Sequence, residues 1–140
     1  MPRFMKSLNN ISRAQAIFRR DSLPGDLSPN MHSFVLAICR APGSTQDEIG
    51  KDVCISKSVV SRRIEWLCDN GYATSETDPS DKRCQRIYPT ERMLELLPEV
   101  RRISREWMQL LTEDISDGEL EIFEAVLSRL ETRAREVVRL

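Results

Sequence analysis

Residues 55–70, ISKSVVSRRIEWLCDN, carry the periodicity of a helix with two unlike faces. Val60, Ile64 and Leu67 fall at i, i+4 and i+7 and so share one side of a 3.6-residue helix. Lys57, Ser58, Ser61, Arg62 and Glu65 lie largely on the opposite side. Ser56 stands where an N-cap hydroxyl accepts from the free amides of the first turn. Gly71 follows the last periodic residue, the usual place of a left-handed C′ residue. Small hydroxyl side chains let a helix approach base edges, while Lys and Arg reach phosphates or guanines. The pattern therefore suits a helix that packs one face and offers the other to a polyanion. A merely solvated charged face is the plainer alternative for the same residues.

The neighbours on both sides narrow that choice. Upstream, Thr45-Gln46-Asp47-Glu48 is a capping box, in which Thr45 bonds forward to the Glu48 amide and Glu48 reaches back. It predicts a short helix over about 45–52, joined through Val53-Cys54-Ile55 to the helix at 56–70, which is a helix–turn–helix arrangement. Downstream, residues 72–89 read YATSETDPSDKRCQRIYP. Residues 73–77 and 84–88 are strand-like, and Asp78-Pro79-Ser80-Asp81 between them is dense in turn formers. A β-hairpin directly after such a helix is a wing. Lys82, Arg83 and Arg86 cluster on it, and arginine at a narrow tip suits a minor groove. Asp81 is expected to orient the Arg83 guanidinium as a bidentate partner. A solvated hairpin with routine charges would carry the same residues.

Helices flank this centre. Residues 3–20 place Phe4, Leu8, Ile11 and Phe18, with Ala14 between, at three- and four-residue steps. A linker with Pro24 and Gly25 as punctuation follows over 21–27. Ser28-Pro29 then opens a helix whose buried stripe is Met31, Phe34, Val35 and Ile38, ending at Pro42-Gly43. His32 lies beside that stripe, at an expected packing boundary. Thr90 caps a long helix to about 111, with Leu96, Val100, Ile103, Trp107 and Leu110 as its seam and a kink expected at Pro98. A second capping box, Ser116 to Glu119, starts a last helix with Phe123, Val126, Leu127, Leu130, Ala134, Val137 and Val138 on one stripe. One protomer offers little to cover these stripes. An intermolecular helical interface is the economical expectation, with an intramolecular bundle as the alternative.

Composition bounds the function. The 140 residues fit one domain with a real core. No run approaches the roughly 18 apolar residues of a membrane span, and the first residues lack a secretory apolar region, so a soluble cytoplasmic protein is expected. The net charge is −1, but residues 1–93 hold 14 Lys/Arg against 11 Asp/Glu, while residues 94–140 hold 7 against 11. Affinity for DNA follows the local surface, so an acidic C-terminal part does not exclude it. Cys39, Cys54, Cys68 and Cys84 are widely spaced without a C-x-x-C pair, and His32 is the only histidine. Metal ligation is therefore not expected, and reduced thiols are. Catalysis is not expected either: a Gly-rich phosphate loop, a ligand cluster and a second histidine are all missing. No cofactor is implied.

With these elements placed, the chain resembles the multiple-antibiotic-resistance regulator (MarR) family of winged-helix regulators. The matching residues are Leu27-Ser28, Pro42-Gly43, Thr45-Gln46, Glu48-Ile49, Ile55-Ser56-Lys57-Ser58, Val60-Ser61-Arg62, Leu67, Gly71, Asp78-Pro79, Asp81-Lys82-Arg83 and Thr90. The resemblance implies a mainly α fold with a small β-wing: a single domain over 1–140, with a winged helix–turn–helix DNA-binding lobe at 28–90. Residues 1–20 and 91–140 would form long N- and C-terminal dimerisation helices.

It further implies a homodimer on a palindromic double-stranded operator, with helix 56–70 in the major groove and wing 72–89 in the minor groove. Two-fold symmetry places the half-sites about one helical turn apart. The implied DNA-facing residues are Thr45, Gln46, Ser56, Lys57, Ser58, Val59, Ser61, Arg62, Arg63, Lys82, Arg83 and Arg86, with Asp81 orienting the wing arginine. A repressor released by a small aromatic or anionic effector is the family-like behaviour, with Phe18, Met31, His32 and Trp107 as the expected pocket. Departures are Ser75-Glu76, where relatives often carry a basic residue, and Pro89-Thr90-Glu91-Arg92-Met93 in place of Leu-Thr and a following glycine. Fewer wing cations predict a shallower salt dependence. The family's thiol-sensing cysteine in the first helix has no counterpart before Cys39, although oxidation of Cys84 would disturb the neighbouring Arg83. The alternatives are a winged-helix module that contacts protein and a regulator gated by cysteine oxidation.

Overall fold

The computed structural model describes residues 2–23 and 26–140. In chain order the elements are α1 (Phe4–Ser22), a 3-10 turn (Pro29–Met31), α2 (His32–Arg40), β1 (Ser44–Thr45), α3 (Gln46–Val53), α4 (Lys57–Asp69), β2 (Ala73–Asp78), β3 (Asp81–Pro89), α5 (Glu91–Leu111) and α6 (Asp117–Val138). The chain falls into two units, one ending at Trp107 and the other running from Met108 to Leu140. The expected break at Pro24-Gly25 lies outside the described residues. Helix α1 runs two residues past its expected end, and Ser22 Oγ donates to the Phe18 carbonyl at 2.9 Å.

The first unit is held by one core. Phe34, Val35 and Ile38 of α2 are fully buried with Ile49 of α3, Val60, Ile64 and Leu67 of α4, Ile87 of β3, and Met93 and Val100 of α5. The stripes read from sequence on α2 and α4 are the ones that pack. Burial of each such side chain contributes about 1.5–3 kcal/mol, so these faces hold α4 against α2 and α5. Helix α5 runs through Pro98 and buries Met93 before it and Val100 and Ile103 after it.

Three strands form an antiparallel sheet in the order β1-β3-β2. The short β1, which sequence alone did not indicate, pairs Ser44 with Ile87 and Thr45 with Arg86. It joins the wing to the body just ahead of α3. The tip differs from a plain hairpin. Thr77 pairs with Gln85 and Asp78 with Asp81, so residues 82–84 have no partners on β2 and bulge out of the ladder.

Four elements meet at the C-terminal end of α4. Gly71 takes the left-handed conformation at φ +76°. Thr90 Oγ1 donates to the Gly71 and Tyr72 carbonyls at 2.6 and 2.9 Å and accepts from the Met93 amide, which makes it the cap of α5. The buried Tyr72 donates its hydroxyl to Asp26 at 2.7 Å, and Arg92 lies 4.1 Å over the Tyr72 ring while donating to the Asn70 carbonyl. Cation and ring attract through the ring quadrupole. The linker after α1 is thereby tied to the end of α4 and the start of α5.

His32 is a correction. It is not at a packing boundary but fully buried, with Nε2 3.2 Å from the Val100 carbonyl and 2.9 Å from Ser104 Oγ on α5. A carbonyl oxygen only accepts, so Nε2 carries the proton. Burial first, and the Arg19 charge next, hold the His32 pKa down at about 4. Its unfolded value is about 6.5, so the folded state binds fewer protons between those values. The stabilising contribution is complete above pH ~6.5 and is lost as the pH falls through about 4. We predict that the urea midpoint of the wild type drops more steeply between pH 7 and 4.5 than that of His32→Gln. Parallel curves would exclude a neutral, buried His32.

Candidate nucleic-acid interface

Helix α3 begins at a complete capping box. Thr45 Oγ1 accepts from the Glu48 amide at 3.2 Å, and Glu48 Oε2 accepts from the Thr45 amide at 3.1 Å. It ends at Cys54, which adopts the left-handed conformation at φ +56°. That conformation costs about 1–2 kcal/mol for a residue with a Cβ, but it lets the chain reverse into α4 within two residues. The two helices approach closely because residue 50 is glycine. A Cβ there would stand 3.1 Å from Val60 Cγ2 and 3.4 Å from the Ile55 carbonyl.

On the outer face of α4, Lys57, Ser58, Ser61 and Arg62 are exposed and Val59 is half-buried. Ser56 occupies the N-cap position with extended backbone, but its hydroxyl makes no capping bond. The expected role in closing the first turn is therefore corrected, and the hydroxyl remains at the exposed end of the helix. Lys57 stands 3.6 Å from Asp47, and its side chain is 91% exposed. Arg62 enters no ion pair among the described residues. Arg63 does not share that face: it donates to the Asn30 carbonyl at 3.2 Å and lies 5.4 Å over the Phe34 ring. Its guanidinium is used in packing α4 to α2, which corrects its expected place among the DNA-facing residues.

The wing brings Lys82 and Arg83 together on its bulged tip, both exposed and without an ion pair among the described residues. Asp81 accepts from the backbone amide of Arg83 at 3.0 Å. This corrects the expected carboxylate–guanidinium pair: the carboxylate shapes the turn, and the guanidinium stays free. Arg86 is a second correction among the wing cations. Its Nε donates to Asp78 at 2.8 Å and its Nη1 to the Gly43 carbonyl at 2.9 Å, so it is committed to the protein. Asp78 also accepts from the Ser80 amide and hydroxyl. These two bonds, and then Arg86, hold its carboxyl down at about 2. Sequence reading missed Asp78. A Ser two residues after an Asp is the signal of an Asx turn, but a half-buried ion pair across the hairpin is not visible in that spacing.

Thr45, Gln46, Asp47, Asp81, Arg83, Cys84 and Gln85 line a groove of about 420 Å³ between the start of α3 and the wing. Phe18, Met31, His32 and Trp107, the expected pocket, divide by burial. Met31 and His32 belong to the core, and Phe18 and Trp107 form a half-buried ring pair 5.3 Å apart. Ser104 and Arg19, neither anticipated, flank them. The Nε of Arg19 and the Nδ1 of His32 are buried without a partner among the described residues. Of the cysteines, Cys39 and Cys68 have thiols pushed up by burial, away from the reactive thiolate. Among the described residues no group of three His, Cys, Asp or Glu side chains suits a metal ion, and no helix is long and apolar enough to cross a membrane.

Residues 27–85, which span α2, the helix–turn–helix and the wing tip, match the model of the MarR family. Over these residues the chain is similar to the MarR family. It is 22% identical over 105 residues to YybA, an uncharacterized HTH-type transcriptional regulator of Bacillus subtilis (strain 168), covering 75% of this chain and 70% of that protein. The crystal structure of MarR superposes with a TM-score of 0.78 at 27% identity, over 99% of this chain and 100% of the other. A MarR-family regulator from Listeria monocytogenes, solved with a 26mer DNA, reaches a TM-score of 0.88 at 18% identity, over 97% and 91%. The fold is the one shared by these MarR-family structures. In this fold the α3–α4 approach sets the pitch of the outer α4 face. We predict that Gly50→Val costs about 1–3 kcal/mol by overpacking, measured by chemical denaturation. Wild-type stability in that variant would remove the close approach as a constraint.

Proposed function

We propose that the protein is a cytoplasmic homodimer that represses transcription by reading a palindromic operator through two grooves per half-site. The single observation that carries this reading is the pairing of two exposed cationic edges in one unit, with Arg62, Lys82 and Arg83 outside any ion pair among the described residues. These are Lys57, Ser58, Ser61 and Arg62 on α4, and Lys82 and Arg83 on the bulged wing tip. In the proposed complex the start of α4 enters the major groove and Arg83 the minor groove, while Ser56, Val59, Thr45 and Gln46 lie along the phosphates. The Listeria protein solved with DNA supports the mode by its fold.

Dimerisation is supported by the apolar faces left uncovered. Helix α6 has no buried residue, and Phe123, Val126, Leu130 and Val137 on its stripe are 41–67% exposed. Helix α1 also buries none of its residues. Contiguous exposed apolar stripes of this kind mark interaction surfaces. A two-fold pairing through residues 1–20 and 91–140 would set two 28–90 lobes about one helical turn apart.

We predict that Arg62→Ala and Arg83→Ala each weaken operator binding by about 1–3 kcal/mol while leaving the dimer intact. Fluorescence anisotropy on duplexes selected from random-sequence DNA measures the first, and sedimentation the second. Leu130→Asp is expected to give monomers that bind only weakly. Normal binding by both arginine variants would overturn the two-groove reading.

We propose further that the releasing effector is an aromatic acid seated beside the Phe18–Trp107 pair. The orphaned Nε of Arg19 supplies a donor for its carboxylate, and His32 supplies a buried polar neighbour. A ligand bound only by the folded state raises the melting temperature with concentration. Benzoate-class acids should do so in the wild type and less in Arg19→Gln. An equal shift in both proteins, or none in either, would sink this assignment.

A further inference from the structure

Arg86 is the third cation of the wing, yet its contacts point inward. It spans eight residues of chain to reach Asp78, and its second bond crosses to the Gly43 carbonyl in the turn between α2 and β1. The backbone reinforces the same tie, since the Gly43 amide donates to the Ile87 carbonyl at 2.8 Å and Thr45 pairs with Arg86. Gly43 itself is constrained: φ is +85°, and a Cβ there would stand 3.1 Å from the Tyr88 hydroxyl. The acceptor is equally fixed. Asp78 is 9% exposed and holds the Ser80 amide and hydroxyl with one carboxylate oxygen and Arg86 with the other.

What these bonds enclose is the feature that matters. Residues 82–84 have no partners on β2, because Thr77 pairs with Gln85 and Asp78 with Asp81. The Asp78–Arg86 ion pair therefore closes the base of the three-residue bulge that carries Lys82 and Arg83. We propose that Arg86 is a positioning residue for DNA binding: with Asp78 and the Gly43 carbonyl it holds the bulged tip in the conformation that presents Arg83. It acts through Arg83 rather than by touching DNA, and the proposal rests on the reading that the wing tip meets the minor groove. A tip already ordered loses less conformational freedom on binding than a free loop does.

Charge and position make opposite predictions for Asp78. Removing a carboxylate beside a polyanion strengthens binding by simple electrostatics, whereas removing the partner of Arg86 loosens the tip and weakens it. The experiment uses the full-length protein and duplexes that the wild type selects from random-sequence DNA, with affinity measured over a range of salt. Asp78→Asn is expected to bind about tenfold more weakly. Arg86→Lys keeps the charge but cannot hold both acceptors with a planar fork, and it should weaken binding to a similar degree. Neither variant should change the salt slope, because no phosphate contact is lost. The double variant should be no weaker than either single one.

Hydrogen exchange supplies a second readout. The amides of 82–85 should exchange faster in both variants, with α4 still protected. Binding by Asp78→Asn equal to or tighter than wild type, rescue by Arg86→Lys, or loss of protection throughout α4 overturns the proposal. Arg83→Ala serves as the control: if it binds normally, the minor-groove reading itself is wrong. If it binds weakly while the Asp78 and Arg86 variants bind normally, only the positioning role fails.

Discussion

The commitment of one face of α4 to the core is the constraint on which the rest depends. Val60, Ile64 and Leu67 are at most 1% exposed, so the helix cannot rotate about its axis without bringing polar residues into an apolar interior. That burial leaves Lys57, Ser58, Ser61 and Arg62 on the opposite side. Gly50 then lets α3 lie against α4 closely enough to set the helix at one depth, and the pairing of Thr45 with Arg86 holds the start of α3 beside the wing. The exposed cationic edge is thus a consequence of the buried one. It needs no separate interaction to aim it.

The same logic shows what could be seen without coordinates. Period and capping chemistry identify α2, α3, α4 and α6 because each signal is local: an apolar stripe, a hydroxyl three residues before an acid, a glycine past the last turn. Contacts between distant residues are not encoded that way. Arg63 and Arg86 look like Arg62 and Arg83 in a sequence, four cations on α4 and the wing. They separate only when the fold brings Asn30 and Phe34 to one and Asp78 and Gly43 to the other. Strand β1 was invisible for a related reason. Two residues have no period, and Ser44-Thr45 become a strand only because β3 runs past them.

His32 illustrates the limit from the other side. A lone histidine at the edge of an apolar stripe gives no sign of how deeply it is buried, because that depends on α5, some seventy residues away. The ring ends up between the Val100 carbonyl and Ser104, with the Arg19 guanidinium as a neighbouring charge. Two polar atoms without partners among the described residues, one from α1 and one from α2, are unusual in an interior where most polar groups are satisfied. Together with the ring pair, they are what supports the proposed effector seat over ordinary packing.

The junction at the end of α4 supplies a physical route between the proposed seat and the exposed α4 face. Asp26 follows α1 by a few residues, and through Tyr72 it is bonded to the segment that leaves α4. Arg92 joins Asn70, Tyr72 and Asp26 to the first turn of α5. Any shift of the start of α5 must either carry the end of α4 with it or break this cluster. The contacts are charge-assisted and organised around a buried ring, so they transmit displacement more readily than a flexible loop would. Coupling in this chain would therefore enter α4 at its C-terminal end, while Gly50 and the wing restrain the N-terminal end. The helix can respond by tilting about its start, the end proposed to lie in the major groove. A small rotation there changes the angle of the helix to the groove more than its depth.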